Sequence, residues 1–253
     1  MRKQYYASIC VAVTILLTGC ATYRVDYDIG LYEVERPAQA RERYGEQKIT
    51  KVQEENIEKY YFEDEMVQIA WIPIASRISF VLTNKTDYSI KIVWDEAAFV
   101  DTNGMSHRVM HSGVKYIDRN NPQPPSVIVR RGAITDDIIP SDNVYYASGD
   151  FGGWREEPLL PNSGTDARAL KTKAEKYSGK TYQVLLPLEI EGIINEYIFT
   201  FKINNVEVAA AQNAEAGEVS PKKVPLKQSL KSAGIFFGAV ATALLVMVIV
   251  ATK

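Results

Sequence analysis

The chain has 253 residues, of which 46% are hydrophobic and 24% charged, a composition typical of a globular protein with one or two domains. All 31 acidic residues but only 22 of the 29 basic residues lie between Tyr23 and Pro221, so this region carries a net charge of −9. An acidic body argues against nucleic acid as a partner, because phosphate binding needs a basic face.

The N-terminus has the parts of a secretory signal. Arg2 and Lys3 supply positive charge, residues 5–17 are mostly apolar, and residues 17–20 read Leu-Thr-Gly-Cys, as expected for an export signal with a cleavage site. An uncleaved transmembrane helix is the alternative interpretation. It is disfavoured because the apolar stretch is shorter than the ~20 residues that a span requires.

Residues 17–20 resemble the lipobox of bacterial lipoproteins. The resemblance implies a signal peptide over residues 1–19, cleavage just before Cys20, and acylation of the Cys20 thiol. The only other cysteine, Cys10, lies inside this signal. The mature chain is therefore expected to have no disulfide and no free cysteine nucleophile.

Residues 20–56 are predicted to be a lipidated lead-in to the body. Within it, residues 23–35 are expected to be extended. A short helix is predicted over residues 38–44, because Pro37 suits a first helical turn and Gly45 suits a helix end.

From residue 57 onward the sequence is dominated by strand patterns. Apolar and polar residues alternate over 77–83 and 88–94, and the turn residues 84–87 between them predict a hairpin. Residues 180–190 and 194–203 predict a second hairpin around Glu191-Gly192, after a helix over 166–177 that Gly179 ends. Further strands are predicted over 57–62, 66–72, 105–111 (after a tight turn at Asn103-Gly104), 126–130, 133–139 and 144–147.

Many short strands separated by turns indicate a mainly β fold, an antiparallel β-sandwich with one or two short helices. The pattern over residues 57–205 resembles the immunoglobulin-like modules of bacterial lipoproteins, and Trp94 is the expected core tryptophan. This resemblance rests on the strand pattern and implies no activity.

Candidate catalytic and metal-binding residues are few. His107 and His111 share one face of a predicted strand with Asp101 nearby, but residues four apart on a strand lie about 13 Å apart, too far to hold one ion. No serine-nucleophile, phosphate-binding or zinc motif is present. The sequence therefore predicts no catalytic residue, metal or cofactor. Four groups of adjacent acids are expected to lie on the solvated surface: Glu63-Asp64-Glu65, Asp95-Glu96, Asp136-Asp137 and Glu156-Glu157.

Two loops are the predicted contact surface for a partner. Residues 148–154 combine three glycines with Phe151 and Trp154, and residues 120–125 are rich in asparagine and proline. Aromatic residues on such loops stack on sugars or grip peptides. The alternative is that Phe151 and Trp154 fold back onto the end of the sandwich.

The C-terminal part is predicted to contain a linker over residues 206–232 and a transmembrane helix over residues 233–251, which have no charged residue. A buried core helix is the alternative. Gly234 and Gly238 share the four-residue spacing of close helix packing, which predicts self-association. The orientation is in conflict with the positive-inside rule, because export leaves four tail lysines outside.

Together these features predict an envelope lipoprotein, anchored in a membrane with its body on the non-cytoplasmic side. The favoured role is a non-enzymatic binding or scaffolding module with protein partners or a second copy. The alternative is an envelope hydrolase acting on glycan or peptide through acidic residues, which requires two carboxylates about 5–10 Å apart across a cleft.

Overall fold

The computed structural model describes residues 22–38, 40–54 and 57–211. These residues form fifteen strands and two short α-helices, with 3-10 turns between some of them. The strands are β1 (Tyr23–Glu35), β2 (Lys48–Glu54), β3 (Ile57–Glu63), β4 (Val67–Pro73), β5 (Ile78–Asn84), β6 (Ile90–Ile92), β7 (Ala98–Val100), β8 (Ser106–Met110), β9 (Ser126–Ile128), β10 (Ala133–Pro140), β11 (Val144–Ala147), β12 (Gly153–Glu156), β13 (Ser163–Gly164), β14 (Thr181–Ile190) and β15 (Ile193–Ala210). The helices are α1 (Ala40–Tyr44) and α2 (Ala167–Ala174).

The prediction of a mainly β, antiparallel fold with few helices is confirmed, but thirteen of the fifteen strands belong to one sheet and only β11 and β12 lie outside it. One continuous path of paired strands runs β13-β1-β15-β14-β7-β8-β10-β5-β4-β3-β2. The two halves of this sheet are joined where Met110 and Val109 of β8 pair with Ile139 and Pro140 of β10. The predicted two-sheet sandwich is therefore not confirmed: the thirteen strands form one main sheet that curves over one core.

The core lies where the two ends of the sheet path face each other. Trp71 on β4 packs against Phe199 and Phe201 on β15, with ring centroids 4.7 and 5.5 Å apart, although several strands separate β4 from β15 in the sheet order. Phe62 on β3 meets Tyr197 in an edge-on contact. Contacts between the two halves, and not only strand pairing, therefore fix the curvature of the sheet.

The hairpin predicted between residues 77–83 and 88–94 is wrong. β5 pairs with β4 and β10, whereas β6 pairs with β14 and β9. The reason is Asn84, whose buried amide group donates to the carbonyls of Tyr88, Ile128 and Val129 at 2.7–3.2 Å. These bonds hold the end of β5 against β9, which pairs with β6 in the other half of the sheet. Trp94 follows in a 3-10 turn and is fully buried, as predicted for a core tryptophan.

The second predicted hairpin is confirmed. β14 and β15 pair in register through Ile190 and Ile193, and the two turn residues Glu191 and Gly192 have φ values of 51° and 78°. Positive φ at both central residues is the backbone geometry of a type I′ turn, whose twist matches that of paired strands.

Both predicted helices form with shifted bounds. α1 ends at Tyr44 and is followed by Gly45, which has a φ of +70°. α2 is capped by Asp166, whose carboxylate accepts from the amides of Arg168 and Ala169. The capping bonds begin the helix one residue later than the sequence pattern predicts.

The sheet extends beyond the predicted range 57–205 at both ends. β1, in the predicted lead-in, pairs with β15 from Tyr23–Ala210 to Glu35–Ile198. The Ala211 amide donates to the Thr22 carbonyl at 2.8 Å. The first and last described residues of the body are therefore neighbours.

The predicted signal peptide, Cys20 and the predicted span with Gly234 and Gly238 lie outside the described residues. Within residues 22–38, 40–54 and 57–211, no helix combines the length and apolar character needed to cross a membrane. The lipid anchor and the C-terminal span stay predictions.

Candidate functional site: an aromatic hairpin tied to the sheet

A two-stranded hairpin, β11 with β12, stands apart from the main sheet. Its register places Tyr146 opposite Trp154, and the two rings meet edge-on with centroids 5.6 Å apart. Cross-strand aromatic pairs stabilise an antiparallel ladder. Residues directly opposite each other in an antiparallel pair project to the same face, so Tyr146 and Trp154 share one face of the hairpin.

The tip of the hairpin is built from glycines. The Gly152 amide donates to the Gly149 carbonyl at 2.8 Å, and Gly149 has a φ of +111°, which residues with a Cβ rarely adopt. This closed loop leaves the Phe151 side chain 90% exposed. The alternative in which both aromatic residues fold back is therefore wrong for Phe151, whereas Trp154 does pack on the body, against the buried Met110, Ile139 and Val144.

Trp154 is half-buried and lies at the centre of a cluster of aromatic and basic side chains. The Arg119 guanidinium lies over the indole ring, 4.9 Å from its centroid, and the Tyr116 ring meets it at 6.3 Å. Arg119 and Tyr116 directly precede the predicted 120–125 loop. The structure thus brings the region of this loop to the hairpin, with Trp154 packed between them.

Large apolar side chains remain exposed around this cluster. Exposed apolar groups that lie together mark interaction surfaces more often than scattered ones do. We call the cluster the aromatic hairpin surface, and its members are the exposed Tyr146 and Phe151 with the half-buried Trp154.

The base of the hairpin is tied to the sheet by ionic contacts. Glu156 on β12 accepts from Arg77 at 3.2 Å and from the Tyr116 hydroxyl at 2.9 Å. Arg77 also contacts Asp137 on β10 at 3.3 Å. Burial, followed by the bond to Glu156, raises the pKa of the Tyr116 phenol, which therefore stays a protonated donor. These contacts fix the hairpin relative to the sheet.

Behind this base lies a second group of polar side chains. His111 Nδ1 lies 3.0 Å from the Asp136 carboxylate, while Asp137 accepts from the Ser79 and Ser112 hydroxyls at 2.6 and 2.9 Å. Ser112 thus bonds to a carboxylate and not to His111, so the group does not have the hydrogen-bonding order of a Ser-His-Asp triad.

The prediction that the adjacent acids are solvated is wrong for several of them. Asp136, Asp137 and Asp64 are 3–4% exposed. Asp136 and Asp137 are buried because β10 lies inside the sheet, between β5 and β8. Burial raises the pKa of Asp64, against backbone hydrogen bonds from Val67 and Met66 that lower it.

The two carboxylates of Asp137 and Glu156 lie on either side of one guanidinium group. Arg77 occupies the space between them, and their side chains are only 6% and 12% exposed. A glycoside hydrolase needs its two carboxyl groups to face a bound substrate. In this pair the position of the substrate is filled by Arg77.

The two histidines have different partners. His107 contacts Asp142 at 3.1 Å and Asp101 at 3.7 Å, whereas His111 bonds to Asp136 and stacks on Trp94. In the described part of the chain no group of three or more histidine, cysteine or acidic residues is placed to hold a metal ion.

Two concave regions lie elsewhere. A cavity of about 80 Å³ is lined by Phe99, Leu160, Tyr177 and Tyr182. The Tyr182 hydroxyl is buried and has no hydrogen-bond partner among the described residues. An open, shallow groove runs past Asp95, His107 and Arg108.

Arg77, Tyr116 and Arg119 were not predicted from the sequence as parts of the site. Each is distant in sequence from its hairpin contact, Glu156 or Trp154. Tyr116 and Arg119 lie next to the predicted 120–125 loop, which was the one available signal. Nothing in the local pattern marks Arg77.

Comparisons of this chain with protein-family models, with curated proteins and with solved structures gave no match.

Proposed function

We propose that this protein is an envelope lipoprotein, held in a membrane through Cys20, whose body is a non-enzymatic binding or scaffolding module. The observation that carries the binding role is the aromatic hairpin surface. Phe151 and Tyr146 are 90% and 61% exposed, and Arg77 ties the hairpin that holds them to the sheet.

The partner that we propose is another envelope protein. Tyrosine, tryptophan, phenylalanine and arginine are enriched in protein interfaces, and they dominate binding energy where they are held rigidly. In the unbound protein Trp154 already packs against Arg119 and Tyr116. Such an arrangement reduces the ordering cost of binding.

The hydrolase alternative is less well supported. Arg77 lies between Asp137 and Glu156, and Ser112 bonds to Asp137. These contacts suit a structural role for the carboxylates. If Asp137→Asn or Glu156→Gln abolished a measured glycan- or peptide-cleaving activity of the purified protein without unfolding it, the alternative would replace our proposal.

Site-specific photocrosslinking in intact cells tests the binding role. A crosslinker at position 151 should give one discrete adduct, identified by mass spectrometry as an exported protein, and Tyr146→Ala should reduce it. A crosslinker at position 129 is the matched control, because Val129 is 62% exposed but lies outside the hairpin. Equal adducts at the two positions would refute the binding role, and retention on isolated peptidoglycan would assign the surface to glycan.

Palmitate labelling of the wild type and of Cys20→Ala tests the anchor. We expect label on the wild type only, and label that persists on Cys20→Ala would refute the lipoprotein assignment.

Truncation after Lys231 tests the C-terminal span and the packing proposed for Gly234 and Gly238. An unchanged oligomer size and unchanged detergent extraction would exclude both roles of the tail.

A further inference from the structure

Helix α2 and the turn that follows it carry a concentration of positive charge on an acidic body. Residues 167–180 contain one acidic residue, Glu175. The basic residues in the same range are Arg168, Lys171, Lys173, Lys176 and Lys180. The region from Tyr23 to Pro221 has a net charge of −9, so the sign of this helix is opposite to that of its surroundings.

Most of these basic side chains are exposed to solvent and accessible to a partner. Arg168, Lys173 and Lys176 are exposed, and no carboxylate in the described ranges lies within ion-pair distance of them. Lys171 contacts Glu175 at 3.6 Å, but both side chains are more than half exposed. We call these four basic residues the α2 basic patch. Asp166, at the start of the helix, is occupied by its capping bonds.

The patch is fixed to the end of the sheet from which both chain ends emerge. Leu170 and Ala174 of α2 are buried in a cluster with Val25 of β1 and Val208 of β15. Tyr23 pairs with Ala210 at this same end. The inner face of the helix thus packs on the strands that lead to residues 22 and 211, and the basic residues lie on its other faces.

The proposed lipid anchor is very close to this end. Cys20 precedes Thr22 by two residues, which span at most about 7 Å. A lipid on Cys20 would therefore keep the start of β1 at the membrane surface. α2 is about 12 Å long and packs on this part of β1, so its patch would lie within one or two Debye lengths of the headgroups.

We infer that the α2 basic patch docks onto the anionic headgroups of the same membrane that holds Cys20, and so sets the orientation of the body. This inference rests on the anchor in the proposed function. The headgroups supply the negative charge that the patch lacks within the protein. The lipid anchor supplies the high local concentration that makes a small patch sufficient.

A single fluorescent label tests the docking in the full, acylated protein. Thr172→Cys places the label on an exposed position of α2 without removing a basic residue. In vesicles of phosphatidylcholine with phosphatidylglycerol, a headgroup-located quencher should quench this label. The quenching should fall in pure phosphatidylcholine, and also in 1 M salt, where the Debye length is about 3 Å.

A label at position 194 is the control. Ile194 is exposed and lies sixteen residues before Ala210 on β15, about 50 Å away along an extended strand. It should show no dependence on phosphatidylglycerol. If both labels respond alike, the body has no preferred orientation and the inference is wrong.

A charge variant separates a specific patch from general attraction. Arg168→Gln, Lys173→Gln and Lys176→Gln together should abolish the phosphatidylglycerol-dependent quenching, because each charge removed weakens docking about fivefold. Arg41→Gln, Lys48→Gln and Lys115→Gln make the same net change at exposed positions outside the patch and should have little effect. Equal effects of the two triple variants would refute the inference.

The failure of this inference is distinguishable from that of the proposed anchor. Absence of palmitate on Cys20 would remove the anchor itself. Palmitate-labelled protein that enters vesicles, but whose position-172 label ignores phosphatidylglycerol, would overturn the docking of α2 alone.

Discussion

The imidazole ring of His111 stacks on the indole ring of Trp94, with the ring planes 5° apart and the centroids at 4.4 Å. The same imidazole bonds to Asp136 through Nδ1. Trp94 in turn donates from Nε1 to the Ser126 hydroxyl at 2.8 Å. His111 therefore connects the apolar core to the polar group behind the aromatic hairpin.

Replacing His111 with alanine should destabilise the protein by about 2 kcal/mol, since it removes an aromatic contact and leaves Asp136 without one of its bonds. His107→Ala is the matched control, with an expected cost below about 1 kcal/mol because its nearer acidic partner, Asp142, is 71% exposed and the other, Asp101, lies 3.7 Å away. Urea unfolding curves measure both. Equal costs for the two variants would contradict the role given to His111.

Arg77→Ala should cost about 2–3 kcal/mol, because it leaves two largely buried carboxylates, Asp137 and Glu156, without their shared cation. The hairpin should also lose its fixed position, visible as faster amide exchange in β11 and β12. Arg24→Ala is the control. Its ion pair with Asp26 is exposed, so the expected change is within about 0.5 kcal/mol. Unchanged exchange in the hairpin of Arg77→Ala would show that Arg77 does not tie it.

Substitutions at the two central residues of the Glu191-Gly192 turn should change the stability of the protein in opposite directions. Gly192→Ala should destabilise by about 1 kcal/mol, because Gly192 has a φ of +78°. Glu191→Gly should have the opposite effect, about 0.5 kcal/mol of stabilisation, since Glu191 is a non-glycine residue at positive φ. Thermal unfolding of the pair checks the signs, and two shifts in the same direction would refute the turn assignment.

Tyr182→Phe should stabilise the protein at neutral pH by about 1 kcal/mol, because the Tyr182 hydroxyl is buried without a partner among the described residues. The measurement is denaturant unfolding at pH 7. A loss of stability would mean that this hydroxyl has a bound partner, such as an ordered water in the adjoining cavity.

The same substitution should alter the response to alkali. Burial raises the pKa of Tyr182 above its ordinary value of 10, so below pH 10 the phenol is protonated in both the folded and the unfolded state, and above pH 10 the unfolded state loses this proton first and becomes favoured. Above pH 10 the wild type should therefore lose stability more steeply than Tyr182→Phe, by about 1.4 kcal/mol per pH unit. Parallel curves would contradict the assignment.

The elements that were predicted well from the sequence are those whose formation depends on residues close together in the chain. The β14–β15 hairpin depends on alternation and on two adjacent turn residues, and α2 depends on its cap and on the spacing of Leu170 and Ala174. The wrong hairpin at residues 84–87 shows the limit of such reasoning. Asn84 reads as a turn residue, but its buried side chain bonds to carbonyls more than forty residues away.

The candidate site was predicted only in part. Phe151 and Trp154 stand out by composition, and the structure brings them together with the region of the predicted 120–125 loop. The burial of Asp137 was not predictable, because it follows from the place of β10 inside the sheet and from Arg77, sixty residues away. The sandwich that the immunoglobulin-like resemblance implies is not confirmed, and the lipobox assignment stays a prediction.

The adjacency of Thr22 and Ala211 also determines how the body responds to mechanical force. β1 and β15 are antiparallel, and their free ends lie side by side. Tension between these two ends would load the hydrogen bonds one at a time, beginning with the bond between Ala211 and Thr22, so the pair would unzip and not shear. Rupture would therefore begin at the end of the sheet where β13 pairs and α2 packs, and these two elements would be the first to detach under load.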